Sequence, residues 1–139
     1  MVTAFSKVNQ YVKRPVHPFP SSADIKNKIP AHAQWFAKMD AVQGYHQIPL
    51  AEESKHLTTF LLPCGRYRYN CGPMGLNSTN DAWCARSDPA VSGVTDAQKI
   101  VDDILVSAEQ LDKLWPSIRR VLTRCRALGI TISNISDRR

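Results

Sequence analysis

Between Lys99 and Val106 the chain reads Lys-Ile-Val-Asp-Asp-Ile-Leu-Val, a β-branched run interrupted by two adjacent carboxylates. An uninterrupted strand would press like charges together and bury at least one of them, and both are costly. A hairpin with Asp102-Asp103 at its turn resolves the conflict and leaves a strand on either side. Two explanations of the pair are then open. Aspartate is a common turn former. Adjacent carboxylates are also hard oxygen donors for a divalent cation such as Mg²⁺, which takes one or two of them and completes its shell with substrate phosphate oxygens.

A second aspartate closes a strand-like run far upstream. In Trp35-Phe36-Ala37-Lys38-Met39-Asp40, Phe36 and Lys38 share one face opposite Trp35, Ala37 and Met39, and Gly44 supplies the following bend. Downstream of the aspartate pair, Ser107 with Gln110 reads as a capping box opening a long helix. Leu111, Leu114, Trp115, Ile118, Val121, Leu122, Cys125 and Leu128 form its apolar stripe and Gly129 ends it. Pro116 should kink that helix, or sit in the first turn of a new one. Ile130 to Ile132 suits a final strand.

The rest falls into place around these elements. Residues 1–20 read as an extended arm, because Pro15, Pro18 and Pro20 restrict themselves and also Arg14, His17 and Phe19. Ser21 or Ser22 caps a short helix through Lys28, closed by Pro30. The runs His56–Leu62 and Arg66–Cys71 flank Pro63-Cys64-Gly65 as a hairpin. A helix from Asn77 to about Ser87, with Asn77 or Ser78 as cap, stops before Pro89 and Gly93. The order β, hairpin, α, β-turn-β, α, β predicts an α+β fold with helices on one face of an antiparallel sheet.

At 139 residues this is about one domain, and the 43% apolar content suffices for a core. No window approaches the ~18 apolar residues of a membrane span. Lys7, Asn9 and Gln10 break up any secretory signal, so an intracellular site, cytoplasmic or nuclear, with no membrane association is expected. The net charge of +6 favours an anionic partner. His46, Gln47 and Arg66 are candidates to face phosphate, while Arg119, Arg120, Arg124 and Arg126 suit the outer face of the last helix. Cys64, Cys71, Cys84 and Cys125 lack zinc-ligand spacing and read as free thiols.

The words around the aspartates resemble a known family. Phe36-Ala37-Lys38-Met39-Asp40-Ala41-Val42-Gln43-Gly44-Tyr45-His46-Gln47-Ile48 resembles the first catalytic motif of reverse transcriptases from gypsy-type LTR retrotransposons, and Val101-Asp102-Asp103-Ile104-Leu105 their two-aspartate motif. Between them, Thr58-Thr59-Phe60 to Gly65-Arg66-Tyr67 and Gly72-Pro73-Met74-Gly75-Leu76-Asn77-Ser78 resemble the strand pair and the Pro-x-Gly-Leu motif. Lys7-Val8-Asn9 and His17-Pro18-Phe19-Pro20 resemble the end of the fingers and the entry to the palm. The resemblance spans nearly the whole chain.

It implies a fingers/palm fragment with a ferredoxin-like core: residues 1–20 the end of the fingers, and residues 21–139 a palm truncated before the thumb. It also implies an RNA-directed DNA polymerase, in which Asp40, Asp102 and Asp103 are catalytic and hold two Mg²⁺ ions, with Mn²⁺ as a substitute. Tyr45, Met74 and Gly75 are then the nucleotide-binding residues, with Tyr45 stacking under the incoming sugar and rejecting a 2′-hydroxyl. The implied partners are an RNA or DNA template with primer, deoxynucleoside triphosphates, and the remainder of a polyprotein (thumb, RNase H, integrase), absent from this chain. Three positions depart from the family: Ala4 replaces an aspartate, Ser6 an arginine, and Ile100 the aromatic before the aspartate pair. Ala4, Pro116 and the divergent residues 134–139 point to the alternative, an inactive retroelement remnant that binds nucleic acid or protein.

Overall fold

The computed structural model describes residues 4–15, 17, 18 and 20–138; among the sequence expectations, that for Phe19 lies outside them. The chain divides into two compact units, one of Met1–His17 with Gln43–Trp83 and one of Pro18–Val42 with Cys84–Arg139.

The second unit is built on a four-stranded antiparallel sheet. Its elements are α2 (Ser22–Lys28), β1 (Trp35–Ala41), β4 (Ala97–Ile100), β5 (Asp103–Ala108), α4 (Leu111–Ala127) and β6 (Ile132–Arg138), in the strand order β4-β5-β1-β6. With α3 (Asn77–Val91), whose last residues belong here, the sequence of elements is β1-α3-β4-β5-α4-β6, the split βαβ arrangement of a ferredoxin-like core. Burial alternates along β1, with Ala37, Met39 and Ala41 inward and Lys38 and Asp40 outward. The register pairs like with like, since Met39 faces Ile104 and Ala37 faces Val106. Helix α4 packs on β1 and β5 through Leu114, Ile118, Val121 and Cys125. Arg86 of α3 donates to the carbonyls of Leu128 and Gly129 just past α4, and Arg124 of α4 donates to the carbonyl of Ser92, so the C-terminal ends of the two helices are tied together. Burial among these apolar groups pushes the Cys125 thiol up.

Several sequence expectations are corrected here. The turn falls on Val101-Asp102, and Asp103 begins β5 opposite Ile100. Sheet parity decides this: Ile104 and Val106 are buried, so Asp103 must face the open side. Ser107 is no helix cap. It is a buried strand residue paired with Phe36, because β5 extends to Ala108 opposite Trp35, and α4 starts after Gln110 without a side-chain cap. Pro116 neither splits nor restarts α4, which runs unbroken to Ala127. The buried stripe outweighs one lost hydrogen bond. That stripe is narrower than the spacing suggested, with Leu111 and Trp115 exposed. Pro89 likewise lies inside α3, where only the carbonyl four residues earlier loses its partner. The last strand starts at Ile132 and continues to Arg138. Ser21 caps α2 in a full capping box with Asp24, whose carboxyl is held below its ordinary range by the Ser21 side-chain hydrogen bond.

The first unit holds α1 (Ser6–Asn9), two 3₁₀ segments (Gly44–Gln47 and Glu52–Thr58), the hairpin β2 (Phe60–Leu62) and β3 (Gly65–Tyr67), and the start of α3. The helical turn of α1 interrupts the extended backbone expected for residues 1–20. Strands β2 and β3 are shorter than the runs that suggested them, since residues up to Thr58 wind into 3₁₀ structure. There the Thr58 hydroxyl donates to the carbonyl of Lys55 and accepts from the Tyr69 amide. The Gly72 backbone passes so close to Thr79 that an added Cβ would lie 2.4 Å from its methyl group.

Candidate active site

Asp40 and Asp103 are direct cross-strand partners at one end of the β1–β5 ladder. Partners of this kind point to the same face, and here it is the face away from the buried Met39 and Ile104. Asp102 occupies the adjoining turn, where its carbonyl accepts from the Ala41 amide at 3.2 Å. The geometry thus gathers the backbones of all three aspartates at one end of the two central strands. Lys38 reaches diagonally to Asp103, 3.0 Å from Oδ2, with both side chains about half exposed. Ser133 on β6 donates to the Asp40 carbonyl at 3.1 Å and lies 3.4 Å from its Oδ2. Among the described residues no three His, Cys, Asp or Glu side chains converge tightly enough to hold an ion by themselves. The donor chemistry nevertheless fits Mg²⁺, a hard cation that usually draws part of its shell from water and substrate phosphates.

Val101, at the head of this turn, adopts φ +53°. A β-branched residue in the left-handed region is an outlier costing about 1–3 kcal/mol, and it persists only where the surroundings over-determine it.

Tyr45, Met74 and Gly75 all line one cavity of about 160 Å³ within the first unit, together with Arg14 and Asn80. Tyr45 comes from the 3₁₀ turn that follows Gln43, itself at φ +46°, and its hydroxyl donates to Asn80 Oδ1 at 3.1 Å. Gly75 sits at φ +93°, which favours glycine. The Asn9 side chain braces this loop, donating to the Gly75 carbonyl at 2.9 Å and accepting from the Asn77 amide at 3.0 Å. It thereby satisfies a free donor at the start of α3. Met74 is exposed beside the cavity. Of the phosphate candidates, His46 and Arg66 are exposed and Gln47 half-buried.

The wall of this cavity rests on an ion pair that no local pattern announced. Asp81 is buried in α3 and takes two hydrogen bonds from Arg14, at 2.9 and 3.0 Å. The Arg14 guanidinium holds the Asp81 carboxyl below its ordinary range, and Asp81 in turn raises Arg14. A depressed folded-state pKa stabilises the fold above the unfolded carboxylate value, and this contribution is lost as pH falls through the folded one. Urea midpoints of the parent chain and of Asp81→Asn should therefore differ by a constant amount from neutral pH to about pH 4 and converge below it. A gap that is the same at pH 2 and pH 7 would refute this assignment.

Arg14, Asn80, Asp81, Asn9 and Ser133 escaped the sequence reading as site neighbours. Their partners lie from 35 to 93 residues away, and only the tertiary structure reveals such pairs.

Comparison with known proteins agrees with this geometry. Residues 1–134 match the family model described as reverse transcriptase (RNA-dependent DNA polymerase). The retrovirus-related Pol polyprotein from transposon 412 of Drosophila melanogaster is 25% identical over 134 residues, which are 95% of this chain and 11% of that protein. The enzymatic polyprotein of Cestrum yellow leaf curling virus is 31% identical over 140 residues, covering 96% of this chain and 21% of that protein. Among solved structures, the foamy viral protease-reverse transcriptase dRH in complex with double-stranded DNA matches with a TM-score of 0.85 at 19% identity, over 96% of this chain and 23% of that one. The prototype foamy virus protease-reverse transcriptase matches with a TM-score of 0.83 at 21% identity, over 93% and 17%. This chain therefore spans between about a tenth and a fifth of these curated relatives. A family model that covers nearly the whole chain, on a ferredoxin-like sheet with three aspartates at one end of its central strands, makes this chain a member of the reverse transcriptase family.

Proposed function

We propose that this chain is the fingers/palm part of an RNA-directed DNA polymerase and carries its nucleotidyl-transfer site. The observation that carries the reading is the cross-strand pairing of Asp40 with Asp103 on an open sheet face, with Asp102 in the adjoining turn. In this reading the three carboxylates hold two Mg²⁺ ions, with Mn²⁺ as a substitute. When bound, the ions lower the pKa of a primer 3′-hydroxyl and neutralise charge on a triphosphate. The protein's own part is positioning: Asp40 and Asp103 are fixed by the ladder, Asp102 by the turn. Tyr45, Met74 and Gly75 receive the incoming nucleotide, with the Tyr45 ring held by Asn80 against a 2′-hydroxyl. Residues 1–20 belong to the end of the fingers and residues 21–139 to the palm. The motif wording around Asp40 favours the gypsy-type branch. The substrates are deoxynucleoside triphosphates and a primed RNA or DNA template inside the cell, and thumb, RNase H and integrase are the companions expected in a polyprotein. No helix among the described residues is long and apolar enough to cross a membrane.

The test is incorporation of dTTP on poly(rA)/oligo(dT) with Mg²⁺ or Mn²⁺. Template-dependent, metal-dependent extension is the expected result. A folded chain that binds the duplex in a salt-dependent way but extends nothing would favour the remnant reading instead.

A further inference from the structure

Strand β4 is inverted at its site-proximal end. Its inward positions are Ala97 and Lys99, while the apolar Ile100 is exposed. A buried ammonium on a sheet needs a reason, since desolvation penalises it unless it is paired and hydrogen-bonded. The Lys99 side chain is 6% exposed, and its Nζ lies 2.8 Å from Asp88 Oδ1 on α3. The same Nζ donates to the carbonyl of Val101 at 3.4 Å. Val101 is the residue at φ +53° that turns the chain into Asp102, and its unfavourable backbone needs outside support.

We propose that Lys99, oriented by Asp88, is a positioning residue that clamps the Val101-Asp102 turn and so sets the two carboxylates in the arrangement that binds metal. The inference rests on the reading of Asp102 and Asp103 as metal ligands. Lys99 touches neither metal nor substrate and acts only through the turn. Its reach explains why a lysine occupies an inward position: a shorter or apolar side chain would fill the space without donating to the Val101 carbonyl. Asp88 supplies the counter-charge that lets the ammonium stay out of water, and its place on α3 ties the turn to the helical layer behind the sheet.

The experiment compares the full chain with Lys99→Met and Asp88→Asn by amide hydrogen exchange followed by NMR. The reporter is the Ala41 amide, which donates to the Asp102 carbonyl, with amides in the middle of β1 and β5 as references. Exchange at Ala41 should rise about tenfold or more in both variants while the reference amides keep their rates, because only a local opening is made easier. Lys99→Arg, which keeps charge and reach, should restore part of the protection. An unchanged Ala41 rate, or an equal rise throughout the sheet, would overturn the clamp and leave Lys99 as ordinary packing. Should Lys99→Met fail to fold, Asp88→Asn decides, since the Asp88 side chain is 40% exposed.

A Mn²⁺ titration read by electron paramagnetic resonance supplies the second arm, with affinity expected to fall about 10- to 100-fold in both variants, as for other outer-shell changes at metal sites. Equal Mn²⁺ affinity in parent and variants would overturn the link between clamp and metal. If the unaltered chain takes up no Mn²⁺, the metal reading itself falls, and the exchange rates still decide whether the clamp exists.

Discussion

Changing Asp102 and Asp103 together to asparagine should lower template-directed nucleotide incorporation by on the order of 10³-fold or more. Asparagine keeps the shape of each side chain and the turn-forming chemistry but removes the negative charge that a divalent cation requires. At Asp103 the ion pair lost is the half-exposed Lys38–Asp103 bridge, worth about 0.2–1 kcal/mol at most. Relief of repulsion between neighbouring carboxylates offsets part of that. The measurement is primer extension beside urea unfolding of the same samples. Extension within tenfold of the parent in a folded double variant would remove Asp102 and Asp103 from the proposed chemistry.

The largest stability effect is expected at Trp83. It is 1% exposed in α3, whereas Trp115 in α4 is 55% exposed. Trp83→Ala should cost about 3–5 kcal/mol, from lost burial plus the cavity left behind. Against a typical total of about 5–15 kcal/mol, such a loss leaves the chain marginal at 37 °C. Trp115→Ala should stay within about 0.5 kcal/mol, as surface changes usually do. Urea midpoints with an unchanged slope would report both. Equal losses at the two tryptophans would mean that the exposed end of α4 is covered in solution.

Much of this fold was legible in local patterns. The alternation of Trp35–Ala41, the Ser21 capping signal, the hairpin around the aspartate pair and the apolar stripe of the last helix each depend on residues close in sequence, where the physics is short-ranged. The candidate chemistry was legible for a different reason, in that two carboxylates inside a β-branched run conflict with strand formation and demand an explanation. Failures occurred where a local signal competed with a distant one. Ser107 carries a capping pattern, yet pairing with β1 holds it in a strand. Pro116 and Pro89 are helix breakers by rule, and burial elsewhere in each helix overrides them.

Residues 35–41 and 97–108 determined by themselves that this chain would form strands with aspartates at their ends, because side-chain periodicity and turn chemistry are local properties. The tertiary structure alone decided that the turn falls one residue earlier, at Val101-Asp102, so that Asp103 faces Asp40 across the ladder. It also decided that Lys99 and Asp81 are buried against Asp88 and Arg14. Register and buried ion pairs depend on which distant surfaces meet, and their energies exist only once the sheet and helices have closed on one another.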